Sequence, residues 1–236
     1  MDEIYEQLPD GWDWRNQPAG DGITLGLIVM ADQSLFEDDE GMGADALFEA
    51  VAKELKETTG AVAVTTSAID PYVGAGGTAL QVAMQFMGYA ADVISIGTFL
   101  VGLRPGLQAA VRQLKRRLST THSNAHIVYS AAALQSLVMA DLCESERIDP
   151  AAVHRVECLM HAGRPAEPCV WLRPTDAAYT ITVTMPRDDG FYHLWSYLVT
   201  CHADVVSITH FPVPTANASH WTQVQDRLLR PLRGMA

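Results

Sequence analysis

Positive charge is scarce in this sequence. Its 236 residues include 16 lysines and arginines against 28 aspartates and glutamates, which gives a formal net charge of −12. A surface of this sign repels a phosphate backbone, so the composition argues against general affinity for nucleic acid. A hydrophobic fraction of 48% with 19% charged residues is typical of a folded chain. We therefore expect one large domain or two small ones, with a sizeable apolar core.

Cysteine is also scarce, and no two cysteines stand close in sequence. The chain has four of them, Cys143, Cys158, Cys169 and Cys201. They form no CxxC pair, which argues against a zinc knuckle and a thioredoxin-like site. The first residues, MDEIYEQLPDGWDWRN, lack the basic start and apolar core of a signal peptide. We expect a cytoplasmic protein with mostly buried free thiols, or a peripheral membrane protein if its basic segment binds lipid.

Motifs for nucleotides and metals are missing as well. The glycine cluster VGAGG, residues 73–77, follows a predicted strand, where backbone N–H groups can bind phosphate. It contains no lysine or arginine, so a plain turn is favoured over a phosphate loop. The acidic run at residues 37–40, preceded by Asp32, offers carboxylates to hard cations but lacks EF-hand spacing. A solvated acidic face is favoured there, with Asp38 as a candidate catalytic carboxylate; we expect neither a metal nor a cofactor.

The most unusual segment is a long apolar tract with a basic end. Residues 71–103 contain one charge, Asp92, across 33 positions. The tract is longer than the roughly 20 apolar residues that cross a bilayer, but inserting Asp92 would cost about 2.5 to 3.5 kcal/mol. A buried core, an oligomer interface and a membrane contact all stay open. The basic end suits an anionic membrane, an acidic partner protein or a second copy of this chain. It consists of Arg112, Lys115, Arg116 and Arg117.

The periodicity of apolar residues predicts an α/β (α+β) fold with a mixed sheet, packed helices and two lobes. In the first lobe, apolar runs predict three strands, and amphipathic spacing predicts a helix over 44–60 and another over 133–144. A long apolar central helical segment is predicted within residues 73–118, broken into two pieces at Pro105. The element order β-α-β-α-α-β-α favours partly parallel strands. The predicted strands cover 23–31, 61–69 and 126–132.

The pattern changes near residue 148 to closely spaced strands, for which antiparallel pairing is expected. Residues 178–185 alternate apolar side chains with threonines, which is typical of a sheet with one buried face. Further strands are predicted over 153–160, 169–174 and 204–211, and helices over 190–203 and 219–232. We divide the chain into an N-terminal arm at 1–22, an α/β lobe at 23–147 and an α+β lobe at 148–236.

One catalytic arrangement is suggested by spacing within the predicted helix 190–203. His193, Tyr197 and Cys201 stand at i, i+4 and i+8 and would share one helix face. A cysteine nucleophile with a histidine base is reasonable chemistry, so Cys201 and His193 are candidate catalytic residues. Aromatic residues and a histidine on a helix are also typical of a buried core, which is the competing interpretation. The eight histidines form no HExxH motif.

The order of segments between Ala46 and Leu142 resembles a known family. A helix and a strand precede the small-residue stretch GGTALQVAMQFMGYAADVISIGTFL, and the basic LQAAVRQLKRR precedes AHIVYSAAALQSLVMADL. This order resembles the effector-associated constant component domains of bacterial conflict systems. The resemblance implies a domain that couples sensors to effectors and has no known catalytic motif.

The expected function is therefore that of a non-catalytic adaptor, regulatory or self-assembling component that acts through protein–protein contacts or as a homo-oligomer. Residues 78–103 and the face from Arg112 to Arg117 are the expected contact surface. Two alternatives stay open. One is an enzyme with a site between the two lobes, and the other is an effector that associates with membranes.

Overall fold

The computed structural model describes residues 23–30, 44–69, 79–87, 95–118, 126–162, 177–186 and 189–214. Several predicted features lie outside these residues: the arm at 1–22, Asp32 with the acidic run that contains Asp38, the glycine cluster, Asp92, the strand at 169–174 and the helix at 219–232. Among the helices of the described part, none is long and apolar enough to cross a membrane.

The first half of the chain forms a four-stranded sheet with helices. Its strands are β1 (Ile23–Met30), β2 (Ala63–Ile69), β3 (Ala79–Phe86) and β4 (His126–Tyr129), in the order β2-β3-β1-β4. Its helices are α1 (Ala44–Thr59), α2 (Ile96–Leu118) and α3 (Ala131–Ser145).

The second half is an antiparallel meander. After a 3₁₀ turn at Pro150–Ala152, the strands β5 (Arg155–Ala162), β6 (Ala177–Pro186), β7 (Phe191–Thr200) and β8 (Val205–Pro214) pair in sequence order. The prediction of the α/β (α+β) class is confirmed, because helices pack with two sheets. The expectation of partly parallel strands is wrong: every strand pair in the described part of the chain is antiparallel.

The strand β3 replaces a predicted helix. It lies between β1 and β2, and its even-numbered side chains are buried. The residues between them include two glutamines, so the segment has the period of two that a strand requires. The apolar tract therefore enters the fold first as the centre of a sheet, and the prediction of a helix there is wrong. The buried even-numbered residues are Leu80, Val82, Met84 and Phe86.

The helix α2 runs without interruption through Pro105, so the prediction of two helical pieces is wrong. A proline inside a helix costs about 3 kcal/mol, because it removes a hydrogen bond and crowds the preceding turn. The apolar stripe of α2 continues on both sides of Pro105, which is itself exposed. Burial of each large apolar side chain of that stripe stabilises the fold by roughly 1.5 to 3 kcal/mol, which offsets the cost of the proline. The stripe consists of Ile96, Leu100, Leu103, Leu107, Ala110, Leu114 and Leu118.

Two glycines of α2 permit close approach of neighbouring backbone. A Cβ atom at Gly97 would lie 2.3 Å from the carbonyl oxygen of Pro150, and one at Gly106 would lie 2.6 Å from that of Thr59. Real Cβ atoms do not make contacts this short, so both positions require glycine. Gly102 is different, because nothing lies within 4 Å of the corresponding Cβ position.

The helix α3 packs against α2, β1, β5 and β6. Its first ten residues are buried, except for Leu137. Ser130 caps its start: the Oγ atom accepts from the amide of Ala133 at 3.3 Å and from that of Gly26 at 2.9 Å. One apolar core includes side chains from both sheets, so the two halves are packed together through α3.

Candidate functional site

The described parts of the apolar tract are core. Strand β3 is central in its sheet, and the first two turns of α2 bury Ile96, Leu100 and Leu103. Among the described residues of the tract, Met87 is the one exposed large apolar side chain, at 76%, so these segments offer no extended apolar face to a membrane or a partner. The contact surface has to be sought elsewhere in the described part of the chain.

Half of the basic end is bound within the protein. Arg116 Nη2 lies 2.7 Å from Glu54 Oε1, and Arg117 Nη2 lies 3.0 Å from Glu54 Oε2. Both arginines thus join the end of α2 to α1 through one carboxylate. Arg112 and Lys115 are exposed and form no ion pair with any other described residue. Arg112 and Lys115 are thus the two cations of the basic end without an ion pair among the described residues.

The proposed catalytic residues lie on a strand rather than on a helix. His193 and Tyr197 belong to β7, and Cys201 follows its last residue. Eight residues at about 3.4 Å each separate His193 from Cys201 by roughly 25 Å. Cys201 is also buried. The structure does not bring this thiol and this imidazole together, and the prediction of a shared helix face is wrong.

The Tyr197 phenol on β7 and the Cys143 thiol on α3 both favour their neutral forms. Burial raises the pKa of Tyr197 to about 12, and the carboxylate of Asp141 adds to the shift. Burial is also the main cause that raises the pKa of Cys143, followed by the charge of Asp149. A thiol with a raised pKa is a poor nucleophile near neutral pH. These groups belong to the packing of α3 against the second sheet.

A chain of three polar side chains occupies the other end of β7. His193 Nε2 lies 2.9 Å from Asp189 Oδ2, and His193 Nδ1 lies 2.8 Å from His210 Nε2. His193 is buried, whereas Asp189 and His210 are exposed. The buried imidazole therefore links a carboxylate in the β6–β7 turn to an imidazole on β8.

Local structure fixes both ends of this chain. Asp189 Oδ1 accepts a hydrogen bond from the amide of Phe191 at 2.9 Å, and Gly190 between them has a φ of +83°, which favours glycine. At the other end, Trp195 is the cross-strand neighbour of His210. Their rings stack with centroids 4.6 Å apart and planes 12° apart. The indole face therefore holds the exposed imidazole against the sheet.

The geometry assigns the direction of one hydrogen bond. A carboxylate only accepts, so His193 must donate from Nε2 to Asp189. The direction of the second hydrogen bond depends on the protonation state of His193: a neutral ring accepts at Nδ1 from His210 Nε2, and a protonated ring donates to it. The groups form a chain rather than converge on one point. In agreement, no group of three or more His, Cys, Asp or Glu in the described ranges is arranged to hold a metal ion.

Among the described strands, β8 forms an open edge of the second sheet. It pairs with β7 on one side, and three of its branched aliphatic side chains are exposed: Val205 at 48%, Val206 at 59% and Ile208 at 52%. The ten residues VVSITHFPVP contain no lysine, arginine, aspartate or glutamate. Natural edge strands are usually protected by charges, prolines, bulges, short length or a covering segment. In β8 these devices are limited to Pro212 and Pro214 at its end and a register shift against β7 at Leu198/Val199 near its start.

The other described edges differ from β8. Strand β5 contains an ion pair between Arg155 and Glu157, and β2 exposes polar Thr65 and Ser67. Strand β4 is covered, because its Tyr129 amide donates to the carbonyl oxygen of Cys201 at 2.8 Å. Among the edge strands that the structure describes, β2 and β8 both lack formal charge, and β8 is the one with three exposed branched aliphatic side chains.

Sequence reasoning missed the histidine pair and the open edge for one reason. The sequence predicts a helix over 190–203, and a helix has no hairpin register with β8. As a hairpin, the pairing of Trp195 with His210 puts His193 two residues away on the same face. The sequence does contain a sign of this strand, because His193, Trp195 and Tyr197 are spaced two residues apart, as residues on one face of a strand are.

A scan against protein-family models matches none of them, and no curated protein sequence is similar to the chain. The function therefore has to be argued from the geometry.

Proposed function

We propose that the protein is a non-catalytic, self-assembling component that acts through protein–protein contacts, with two copies joined along β8. The observation that carries the proposal is the open edge of β8, with its three exposed aliphatic side chains and no formal charge. The resemblance of residues 46–142 to effector-associated domains supports a role of the same class, in which the contact couples a sensor to an effector.

An edge strand offers a row of backbone donors and acceptors with which another strand can pair. Two identical strands that pair antiparallel across a two-fold axis form a self-complementary contact, which is the commonest symmetry of homo-oligomers. The side chains of Val206 and Ile208 would then be shielded from water by their equivalents. Burial of this kind contributes about 25 cal/mol for each Å² of apolar surface.

Charge supports a second copy as the occupant. Two chains that each carry a net charge of −12 repel one another over most of their surfaces. The repulsion is smallest where uncharged surfaces meet, and β8 provides ten successive residues of that kind. A basic partner would instead be drawn to the acidic surface, and an acidic partner to Arg112 and Lys115.

Prolines limit the length of the contact. Pro212 and Pro214 lie in β8 and have no N–H group to donate. Prolines are tolerated in an edge strand where the missing N–H would face solvent. Every second residue of β8, counted back from Pro212, therefore directs its backbone N–H away from β7. These include Ile208 and His210. The paired region therefore ends before Pro212, and we expect a short ladder centred between Val205 and Phe211.

Sedimentation equilibrium of the full chain over a range of concentrations tests the proposal. The unmodified protein is expected to dimerise, and Ile208→Lys is expected to be monomeric with an unchanged circular dichroism spectrum. Thr65→Lys places the same charge on the exposed edge strand β2 and is the matched control, which is expected to dimerise. A monomeric wild type at every concentration, or equal dimerisation of Ile208→Lys, would overturn the proposal.

A further inference from the structure

We infer that the face of β8 beside α3 binds a cationic amphipathic helix of another protein, which would cover Val205 and Ile208 and pair with the carboxylates of Asp141 and Glu146. This site lies on the face of the sheet, whereas the proposed pairing of two copies uses the backbone edge of β8. The inference therefore goes beyond that pairing and does not depend on it. It gives the component a second contact, for a partner of a different kind.

The strand register places the exposed aliphatic side chains of β8 on the α3 side of the second sheet. Ile208 lies opposite Tyr197 of β7, and Val205 lies opposite Val199. Residues directly opposite each other in an antiparallel pair point to the same face. Tyr197 and Val199 belong to the apolar core that α3 shares with this sheet. Val205 and Ile208 therefore extend the core face of the sheet onto its edge strand.

The helix α3 does not cover this extension. It packs on β5 and β6, and on β7 it contacts Tyr197, whose phenol forms a hydrogen bond with the side chain of Ser145. One strand farther along the same face, Ile208 is 52% exposed and Val205 is 48% exposed. The apolar face of the sheet thus continues for one strand beyond the part that α3 covers.

The end of α3 beside this face is acidic. Residues 131–149 contain four aspartates and glutamates and one cation, Arg147. Glu144 is bound by an arginine of α2, whereas Asp141 and Glu146 are exposed and form no ion pair with any other described residue. The last turn of the helix contains no basic residue. The partial negative charge at the end of the helix therefore adds to that of the carboxylates.

Tyr197 connects the carboxylates with the apolar face. Burial is the main cause of the raised pKa of its phenol, and the charges of Asp141 and Glu146 raise this pKa further. Both carboxylates therefore lie near the phenol. Because Ile208 is the cross-strand neighbour of Tyr197, exposed aliphatic side chains and exposed carboxylates border the same tyrosine.

The chemistry of this surface defines its partner. An apolar partner would remove water from Asp141 and Glu146 without replacing their hydrogen bonds, which is costly, whereas lysine or arginine would satisfy them. The net charge of −12 attracts a cationic chain and repels an acidic one. A helix fits the position because helices pack on sheet faces, as α3 does here. An amphipathic helix presents an apolar stripe and flanking cations together.

The test uses a fluorescent synthetic helix of about 18 residues, built from leucine on one face and lysine on the rest. Its binding to the full-length protein is measured by fluorescence anisotropy. Asp141→Asn/Glu146→Gln is expected to bind roughly tenfold more weakly, because two exposed ion pairs are lost. Glu49→Gln/Glu57→Gln removes the same charge from the exposed side of α1 and is expected to bind like the wild type.

Two further comparisons separate this site from general attraction between opposite charges. A helix with glutamate in place of lysine is expected to bind Asp141→Lys/Glu146→Lys and not the wild type. Val205→Thr is expected to weaken binding of the lysine helix severalfold, whereas Val62→Thr, at a valine that is 50% exposed on another part of the surface, is expected to leave it unchanged. A lysine peptide with its leucines scattered around the helix should bind more weakly.

Equal losses in the α1 control, or equal binding of the scattered peptide, would overturn the inference. Dimers of the wild type that are lost in Arg112→Glu/Lys115→Glu would show that cations of a second copy occupy this face, and would overturn the assignment to another protein. Sedimentation equilibrium separates the two proposals. A dimer that binds no peptide overturns this inference alone, and a monomer that binds the lysine helix as described overturns the β8 pairing alone.

Discussion

His193 Nδ1 lies 2.8 Å from His210 Nε2, and this contact ties the buried strand β7 to the open edge strand β8. Because His193 also binds Asp189, the turn before β7 and the edge strand are joined through one buried imidazole. The connection involves side chains, in addition to the backbone ladder between the two strands. It therefore links the order of β8 to the protonation and hydrogen bonding of its neighbours.

Replacement of Asp189 by asparagine should loosen this connection. An amide cannot enforce the Nε2–H tautomer of His193, because it can either donate or accept. Hydrogen bonds to charged groups contribute roughly 1.5 to 3 kcal/mol. Because the Asp189 side chain is half exposed, we expect a smaller loss, about 1 kcal/mol, in the free energy of unfolding. Urea denaturation measures it. Asp204→Asn, in the exposed β7–β8 turn, is the control and should change stability less.

The glycines of α2 should respond to alanine in opposite directions. Gly97→Ala and Gly106→Ala place a Cβ against backbone oxygens, and such overpacking costs about 1 to 3 kcal/mol. Gly102→Ala meets nothing within 4 Å, and the higher helix propensity of alanine should add up to about 1 kcal/mol. Thermal denaturation of the three variants tests this order. Equal effects at all three positions would show that α2 is not packed as described.

Gln135 is a polar residue in an apolar environment. It is fully buried in α3, and neither its Oε1 nor its Nε2 atom has a hydrogen-bond partner within the described structure. Leaving buried polar atoms unpaired costs about 1 to 3 kcal/mol, so Gln135→Met, which has a similar shape, should raise the free energy of unfolding by a comparable amount. Chemical denaturation measures the change. A marked loss of stability would instead indicate that a bound molecule satisfies the amide.

Stability should fall in strong alkali as Tyr197 ionises. The pKa of this phenol is raised from 10.0 to about 12 in the folded protein, mainly by burial. The neutral form is the one that the fold favours, so its contribution is complete below pH 10 and is lost as the pH rises towards 12. Absorbance at the tyrosinate band, followed against pH for the wild type and Tyr197→Phe, checks this. In Tyr197→Phe, the part of the absorbance increase that occurs at the highest pH should be missing.

Much of the fold follows from local patterns. The alternation in β6 and the end of α1 before Gly60 predict the observed elements, because each has one buried face or a clear stop signal. So does the spacing of Leu47, Val51 and Leu55 in α1, with Phe48 alongside. Gly60 has a φ of +76°, as a helix-terminating glycine requires.

The errors arose where the local pattern was ambiguous. Strand β7 buries the neighbouring residues His193, Leu194 and Trp195, so it lacks the alternation that marks a strand with one exposed face. In α2 the cost of Pro105 is offset by packing that only the folded structure reveals. The partners of Arg116 and Arg117 depend on tertiary positions that no local pattern encodes. The contact between His193 and His210 follows only when both segments are recognised as strands of one hairpin.

The central claim is that two copies meet along β8, and intermolecular NOEs test it most directly. A mixed sample is prepared in which one half of the chains carries labelled isoleucine and valine methyl groups and the other half carries amide protons in a deuterated background. We predict NOEs from the Ile208 methyl group to amides of β8 in the other copy. Intermolecular NOEs that map instead to the face of Arg112 and Lys115, or none at all, would contradict the account.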